Sequence, residues 1–349
     1  MHEARFWNTE GGRIRCHLCP HSCNISPLRR GICGVRENRD GKLYSMNYGK
    51  VSSANVDPIE KKPLFHFYPG EDVFSLGSIG CNFRCRHCQN YTISQASLGE
   101  LVLQEMRPED VAETALAHGS RGVAFTYNEP TIWHEFAYDA MKTAKEKGMF
   151  TVYVTNGFIQ ADPLRELASR LDAMNIDVKG FTENFYGKVC KAPLQPVLDA
   201  TTLAHELGIH IELTYLIIPG ENDSRDEVRR FSEWVAELDP RIPVHFTRFH
   251  PDYEMTDKPP TPIPTMEMAK QVGQEAGLQF IYLGNVMLPH GEDTVCPKCH
   301  ALVVERRGFG ILKLEAREGH CAVCGQDLYM VQRRGKVDQS ERRREVPTR

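Results

Sequence analysis

Three cysteines stand close enough together to ligate one metal cluster. Cys81, Cys85 and Cys88 have the spacing C-x3-C-x2-C and follow the apolar run 73–79. Four thiolates would close a zinc site or an iron–sulfur cluster, whereas three leave one position open. A [4Fe–4S] cluster on these cysteines would have one iron without a protein ligand, free to bind a small molecule or pass it an electron. The alternative, three structural or redox thiols close together by chance, is disfavoured because spacing specifies ligation.

A second set of four cysteines lies near the N-terminus with the spacing C-x2-C-x3-C-x9-C. Its members are Cys16, Cys19, Cys23 and Cys33, interleaved with glycine, proline and arginine and without a helical period. Four cysteines can hold either structural zinc or an auxiliary [4Fe–4S] cluster. We favour zinc, because structural zinc stabilises segments too small for a core of their own.

A third set consists of two C-x2-C pairs near the C-terminus, Cys296 with Cys299 and Cys321 with Cys324. The sequence between the pairs is rich in β-formers and contains a turn at 308–310, which is typical of a zinc ribbon. A rubredoxin-like iron site is the alternative. Cys190 stands alone and is more often a packed residue than a reactive one.

Composition limits the function classes that need to be considered. The 349 residues carry 42 Lys and Arg against 46 Asp and Glu, a net charge of −4, so no general attraction to nucleic acid or to an anionic membrane is expected. No apolar run approaches the roughly 20 residues that span a bilayer. The first residues lack a signal-peptide pattern. We therefore expect a cytoplasmic protein, in which twelve cysteines stay reduced and available for metals.

The middle of the chain alternates between strand and helix patterns. Strands are predicted at 73–79, 122–126, 150–154, 173–178, 210–217, 243–248 and 279–283, with helical patterns between them. Such alternation predicts a parallel sheet with right-handed crossovers. We predict an α/β fold, a partial (β/α)6-type TIM barrel with a small N-terminal Cys-rich lobe and a C-terminal zinc-ribbon-like module. The predicted boundaries are 1–70 for the lobe and connector, 71–290 for the barrel, 291–332 for the ribbon and 333–349 for a disordered basic tail.

Polar residues follow several of the predicted strands. The second strand is followed by Thr126-Tyr127-Asn128-Glu129-Pro130, the third ends in Thr155-Asn156-Gly157, the fourth in Asp177-Val178-Lys179, and the sixth is followed by His250. In such barrels the chemistry gathers at the carboxyl ends of the strands. The cysteine loop follows the first strand, so these residues are expected to share one site with it.

The cysteine loop resembles the signature of the radical S-adenosylmethionine (SAM) superfamily. In that family the open iron chelates the amine and carboxylate of SAM, and an electron cleaves the sulfonium to methionine and a 5′-deoxyadenosyl radical. The family usually has an aromatic residue before the last cysteine, where its backbone lies against adenine; His87 occupies that position here. The Tyr127-Asn128-Glu129 stretch resembles the Gly-Gly-Glu-type motif that holds the SAM amino group.

Other motifs resemble the pyruvate formate-lyase activating branch of the superfamily. Asn156, Asp177 and Lys179 match positions that help to place SAM there, but Val154 replaces an aspartate that binds a monovalent cation, so that cation site is not expected here. The cofactor-binding residues implied by these resemblances, together with strand-end His250, are His87, Tyr127, Asn128, Glu129, Asn156, Asp177, Lys179 and His250.

The ordered series of motifs along the whole chain narrows the resemblance further. It includes RGICGVREN, NVDPIEKKPLFHFYPG, GCNFRC, TYNEP and DVKGF, and the closing double C-x2-C. The series is similar to the radical SAM protein of the AmmeMemoRadiSam system, which implies Memo-like and AMMECR-type partner proteins and a donor such as flavodoxin or ferredoxin. The expected function is hydrogen abstraction from an unidentified substrate by the deoxyadenosyl radical. The alternatives are a glycyl-radical enzyme activase and a metal-binding scaffold without SAM cleavage.

Overall fold

The structure, a computed structural model, describes residues 1–332. The predicted basic tail, 333–349, lies outside the described residues. Within the described chain, none of the helices is long and apolar enough to cross a membrane.

The N-terminal lobe is built from short antiparallel strands. Two three-stranded sheets have the orders β1-β6-β5 and β2-β3-β4. They enclose a small core of Ala4, Ile14, Leu18, Ile25 and Leu43, to which Cys16 also belongs. The strands are β1 (His2–Glu3), β2 (Trp7–Glu10), β3 (Arg13–Cys16), β4 (Asn24–Ile25), β5 (Arg36–Arg39), β6 (Lys42–Ser45) and β7 (Lys50–Val51).

The centre of the molecule is a mixed eight-stranded sheet with the order β16-β15-β14-β13-β12-β11-β9-β8. Its strands are β8 (Ser53–Pro58), β9 (Asp72–Gly77), β11 (Gly122–Phe125), β12 (Phe150–Thr155), β13 (Ala173–Asp177), β14 (His210–Ile217), β15 (Val244–Arg248) and β16 (Ile281–Gly284); the short β10 (Gln104–Glu105) pairs with β7 instead. β9 and β11–β16 are parallel, and β8 is an antiparallel edge strand. All seven predicted strands are present, with ends shifted by at most two residues.

Helices cover one face of this sheet. Their buried residues form one core with alternate residues of the strands, such as Phe74, Val123 and Leu213. The helices are α1 (Tyr91–Ser94), α2 (Pro108–Ala117), α3 (His134–Glu146), α4 (Ala161–Ala168), α5 (Glu183–Phe185), α6 (Gln195–Glu206), α7 (Arg225–Leu238) and α8 (Ile263–Glu275). Their starts follow ordinary rules: Pro108 opens α2, and the Ser224 side chain accepts a hydrogen bond from the Glu227 amide to cap α7.

The opposite face of the sheet is covered at one end by the connector, residues 59–68. Ile59, Leu64 and Phe67 pack on Val73 and Val152. Further along the strands this face is polar and buried, with Ser75, Asn175, Glu212, Thr214 and His245. Buried polar groups are costly unless they are paired. These groups are paired: Glu212 accepts from the Phe65 and His66 amides of the connector and contacts His245, and Thr214 donates to Asn175. The partial-barrel curvature of the sheet stays a prediction.

The C-terminal module contains the strands β17 (Thr294–Val295), β18 (Leu302–Arg307), β19 (Gly310–Leu314), β20 (Ala316–Arg317) and β21 (His320–Cys321). β17, β18 and β19 form an antiparallel sheet, and β20 pairs with β21. The buried residues Val303, Val304 and Leu328 join Phe65 and Phe280 in one core. The module is therefore docked on the connector and on the strand that precedes it.

Candidate functional site

The cysteine loop begins at the carboxyl end of β9, and its shape depends on Gly80. This residue has φ +90°, and a Cβ there would lie 2.6 Å from the carbonyl oxygen of Cys33. Only glycine tolerates both the left-handed backbone and so close an approach. The loop is consequently seated directly against the N-terminal lobe.

Side-chain amides hold the start of the loop. Asn128 accepts a hydrogen bond from the Ser78 amide (2.9 Å) and donates one to the Gly80 carbonyl (2.9 Å). Asn82 donates to the Phe158 carbonyl (2.9 Å) and accepts from Nδ2 of Asn156 (2.9 Å). These bonds tie the loop to the residues that follow β11 and β12; that these residues bind SAM stays a prediction.

Glu129 is fully buried and links the ends of β11 and β12. Its carboxylate accepts hydrogen bonds from the Thr131 amide (2.9 Å), the Thr155 hydroxyl (2.7 Å) and the Asn156 amide (2.8 Å). Burial raises the pKa of this carboxyl group, and the three donors oppose that rise. One of the three bonds holds the backbone of Asn156, whose Nδ2 lies 3.9 Å from Sγ of Cys81.

The three loop thiols are strongly disfavoured as free thiolates. Burial, followed by the charge of Glu129, raises the pKa of Cys81 well above its usual value. A hydrogen bond with Cys190, followed by burial, raises the pKa of Cys85, and burial raises that of Cys88. Buried thiolates such as these need a bound metal ion or cluster, because the positive charge of the metal stabilises the thiolate form that burial disfavours.

His87 lies in the cysteine loop, near enough to Lys179 to feel its charge. His87 is buried, and Nδ1 of its ring lacks a hydrogen-bond partner among residues 1–332. Burial and, to a lesser extent, the Lys179 charge lower the pKa of His87 to about 3, so the ring is neutral. Lys179 donates to Asp177 (2.7 Å); burial disfavours its charge, but Asp177 outweighs that effect and raises the pKa of Lys179. Asp177 and Lys179, both predicted to help place SAM, therefore form an ion pair with each other.

Two other predicted residues lie differently. Tyr127 has φ +70°, and its hydroxyl donates to Asp57 of β8 (2.7 Å) while Nζ of Lys62 lies 4.8 Å from the ring centroid. The Tyr127 ring therefore lies over the connector. The Tyr127 backbone carbonyl accepts a hydrogen bond from the Asn90 side chain, next to the cysteine loop (2.7 Å). His250 follows β15 at the same edge of the sheet, and its side chain is exposed.

The sequence analysis did not predict a role for two residues that contact the cysteines of the loop, Asn82 and Cys190. Asn82 lies between the ligand candidates, and no pattern distinguishes an amide at that position. Cys190 ends a π-helical turn, Tyr186–Cys190, and its carbonyl accepts from the Arg84 amide (3.0 Å). Its contact with Cys85 comes from tertiary packing that the sequence does not encode locally.

The residues present fit a cluster with SAM beside it. The Phe83 amide donates to Sγ of Cys81 (3.3 Å), a bond of the kind that stabilises sulfur ligands of iron. The unpartnered Nδ1 of His87 offers a polar contact beside the cysteines.

The C-terminal cysteines form a compact tetrad. Sγ of Cys296 lies 3.6 Å from that of Cys324, and Sγ of Cys299 lies 3.7 Å from that of Cys321. All four sulfur atoms lie within 4.8 Å of one another. The tetrad predicted from the two C-x2-C pairs can therefore hold a metal ion.

Comparisons with known proteins agree with this geometry. Residues 76–232 match the family model of the radical SAM superfamily. The uncharacterized protein MJ0808 of Methanocaldococcus jannaschii is 49% identical over 335 residues, which cover 95% of this chain and 100% of that protein. The pyruvate formate-lyase-activating enzyme of Clostridium pasteurianum is 23% identical over 46% of this chain and 67% of its own length. The benzylsuccinate synthase activating enzyme of Thauera aromatica is 22% identical over 66% of this chain and 72% of its own length.

The matched region begins just before the cysteine loop and includes the ends of β11, β12 and β13; of the predicted cofactor-binding residues, His250 lies outside it. The scaffold alternative, a metal-binding protein without catalysis, is not supported, because the superfamily and the named relatives are enzymes. Residues 76–232 are therefore a radical SAM domain, and the chain is a radical SAM enzyme.

Proposed function

We propose that this enzyme uses SAM bound to a [4Fe–4S] cluster on Cys81, Cys85 and Cys88 to abstract hydrogen from a substrate. We further propose that it acts together with Memo-like and AMMECR-type partner proteins. The observation that carries the chemistry is the three-cysteine loop, held at the carboxyl edge of a parallel sheet by Asn128 and Asn156. The partner proteins rest on the order of motifs along the chain.

When bound, the reduced cluster and SAM supply reductive cleavage of the sulfonium to a 5′-deoxyadenosyl radical. The chain's own residues bind, orient and exclude water. Glu129 positions Asn156 beside Cys81, and His87 and the Asp177–Lys179 pair present polar and charged groups next to the loop. We assign the SAM contacts to these five residues and to exposed His250 at the edge of the sheet. Tyr127 and Asn128 contribute through their hydrogen bonds to the cysteine loop.

The sheet is inferred to be the wall of a partial (β/α)6-type barrel. Support comes from the helices, which pack on one face only, whereas a doubly wound sheet carries helices on both faces. The polar face would then line the interior, where a radical intermediate is shielded from solvent.

The C-terminal tetrad is assigned to zinc. Four sulfurs at the usual Zn–S distance of about 2.3 Å from a tetrahedral centre lie about 3.8 Å apart, close to the separations of 3.6 and 3.7 Å seen here. An electron donor such as flavodoxin or ferredoxin would reduce the loop cluster.

The test is SAM cleavage by the full chain, reconstituted anaerobically with iron and sulfide and reduced with dithionite. We expect 5′-deoxyadenosine from the wild type and none from Cys85→Ala. The matched control is Cys190→Ala, which removes the thiol next to Cys85 but keeps all three proposed ligands; it should retain cleavage. A fully loaded wild type that makes no deoxyadenosine, with or without both partner proteins, would overturn the proposal.

A second candidate, activation of a glycyl-radical enzyme, is favoured by the names of two relatives. In that case deuterium from an α-deuterated glycine in a glycyl-radical enzyme should appear in 5′-deoxyadenosine. Under the preferred proposal no such transfer occurs, and the Memo-like and AMMECR-type proteins together raise the yield of deoxyadenosine. A yield that ignores both proteins would count against the preferred partners.

A further inference from the structure

The four N-terminal cysteines surround a cavity. Cys16, Cys19, Cys23 and Cys33 all line it, together with apolar residues such as Leu18 and Ile132.

The sulfur separations distinguish this set from the C-terminal tetrad. Among residues 1–332, the C-terminal cysteines are the set whose ligand atoms all lie within 4.8 Å of one another. The N-terminal four do not meet that distance, and neither do the three cysteines of the SAM loop. A four-iron cubane holds its cysteine sulfurs farther apart than a single ion does, since iron and sulfide atoms lie between them.

A buried cation lines the same cavity. Arg36 is 1% exposed, and its guanidinium binds Glu135 through both terminal nitrogens (3.1 and 2.9 Å). Its third donor, Nε, has no partner within the described chain. A buried donor left unsatisfied costs free energy, whereas a sulfide or cysteine sulfur in the cavity would accept its hydrogen bond.

We propose that Cys16, Cys19, Cys23 and Cys33 bind a [4Fe–4S] cluster of their own rather than zinc, beside the Arg36 guanidinium. Four thiolates complete the coordination of all four irons, so this cluster has no open iron and does not bind SAM. The cysteine spacing leaves zinc and iron open, and the small size of the lobe favours zinc; the sulfur separations favour the cluster.

The second cluster would lie directly behind the SAM loop. The Cys33 carbonyl packs against Gly80, Arg84 donates to the Ile32 carbonyl (2.6 Å), and His21 donates to the Asn82 carbonyl (2.7 Å). From the Gly80 contact and standard backbone dimensions, the Cα atoms of Cys33 and Cys81 lie within roughly 10 Å. The two sets of cysteines are therefore close neighbours on separate segments.

The test counts metal in a chain that cannot hold the loop cluster. The triple variant C81S/C85S/C88S, purified anaerobically after reconstitution, should keep about four irons and about four sulfides per chain. Adding Cys16→Ser and Cys19→Ser should bring iron close to zero while the zinc of the C-terminal tetrad stays. A triple variant with no iron and about two zinc ions per chain would overturn the proposal.

A spectroscopic measurement decides the question if the triple variant does not fold. Dithionite-reduced wild type should show two electron paramagnetic resonance signals, of which SAM shifts one and leaves the other unchanged. A single cluster signal that SAM shifts completely would overturn the proposal. The SAM-sensitive signal belongs to the loop cluster, so a failure here is distinct from a failure of the proposed SAM chemistry.

Discussion

At the scale of single residues, Gly80 lets the cysteine loop pack directly against the N-terminal lobe at Cys33. Its φ of +90° and the Cys33 carbonyl oxygen, 2.6 Å from where a Cβ would lie, leave no room for a side chain. The neighbouring atom is backbone, so it cannot turn aside as a flexible side chain would. The position of Cys81 is therefore set by a residue that is itself not a ligand.

We predict that Gly80→Ala displaces the cluster loop. Alanine adds backbone strain of about 1–3 kcal/mol at positive φ, and the clash with Cys33 adds to it. Iron bound per chain should fall by the content of the loop cluster, and deoxyadenosine formation should be lost. Iron analysis and urea unfolding measure both effects.

The matched control is Gly99→Ala. Gly99 has φ +99°, but no described atom lies within 4 Å of the place where its Cβ would be. This variant should lose about 1 kcal/mol of unfolding free energy and keep its iron. Equal iron contents in the two variants would show that the contact with Cys33 does not hold the loop.

The sequence predicts site residues that belong to a recognisable motif. It does not predict the role of a residue whose partners are set by tertiary packing. The loop cysteines, Asn156 and the Asp177–Lys179 pair lie together as the sequence predicts. The sequence also predicts a SAM contact for Glu129, yet three donors from neighbouring residues occupy much of its carboxylate. Such a network depends on the distance between two strand ends, which a linear pattern does not contain.

At the scale of elements, alternating strands and helices are predictable because long amphipathic and buried runs have distinct periods. The short strands of the N-terminal lobe and the π-helical turn Tyr186–Cys190 are not. Elements of two to five residues carry too few side chains for a period to show. Their geometry depends instead on contacts with the sheet.

The N-terminal lobe is fixed to α3 by a buried ion pair. Arg36 of β5 and Glu135 of α3 are 2% and 1% exposed at their side chains, and Glu135 also accepts from the Arg5 amide (2.8 Å). Arg36 holds the pKa of Glu135 below its usual value although burial opposes this. Removing one partner leaves an uncompensated charge inside the protein.

We predict that Glu135→Gln lowers the unfolding free energy by about 3–5 kcal/mol, because it leaves the Arg36 charge buried without its partner. Glu3→Gln is the control, since the Glu3–Lys42 pair is exposed at 49% and 53% and should give no measurable change. Urea denaturation under anaerobic conditions compares the two. Similar midpoints would mean that water or another residue compensates Arg36.

The stability of the C-terminal module is expected to depend on the zinc ion proposed for its four cysteines. We predict that Cys324→Ser lowers bound zinc by about one ion per chain and lowers the unfolding temperature, because the module has only a small core besides the tetrad. SAM cleavage should persist at low temperature, since the tetrad is remote in sequence from the loop. Unchanged zinc content would contradict the assignment of the tetrad.

At the scale of the whole molecule, the connector couples the C-terminal module to the sheet through His66. Nδ1 of His66 donates to the Leu328 carbonyl (2.7 Å), and Nε2 accepts from the Tyr282 hydroxyl (2.5 Å). The Val331 amide donates to the His66 carbonyl (2.7 Å). One neutral imidazole thus bridges β16 and the end of the described chain.

Burial lowers the pKa of His66 to about 3; Glu212 opposes the shift and Arg306 reinforces it. The unfolded chain binds a proton at a pKa of about 6.5, so the neutral ring favours the folded state above pH 6.5. That contribution is lost progressively as the pH falls from 6.5 toward 3, because the unfolded state then binds more protons than the folded state.

We predict that the wild type loses about 2 kcal/mol of unfolding free energy between pH 7 and pH 5 through His66 alone. The comparison is His66→Asn, whose side-chain amide can still donate to the Leu328 carbonyl but does not titrate. Groups such as His87 titrate equally in both proteins, so the difference between the two pH profiles isolates His66. The variant should start less stable at pH 7 and approach the wild type at pH 5. Parallel profiles would mean that the docked module opens before His66 is protonated, and that its interface is weaker than the buried contacts indicate.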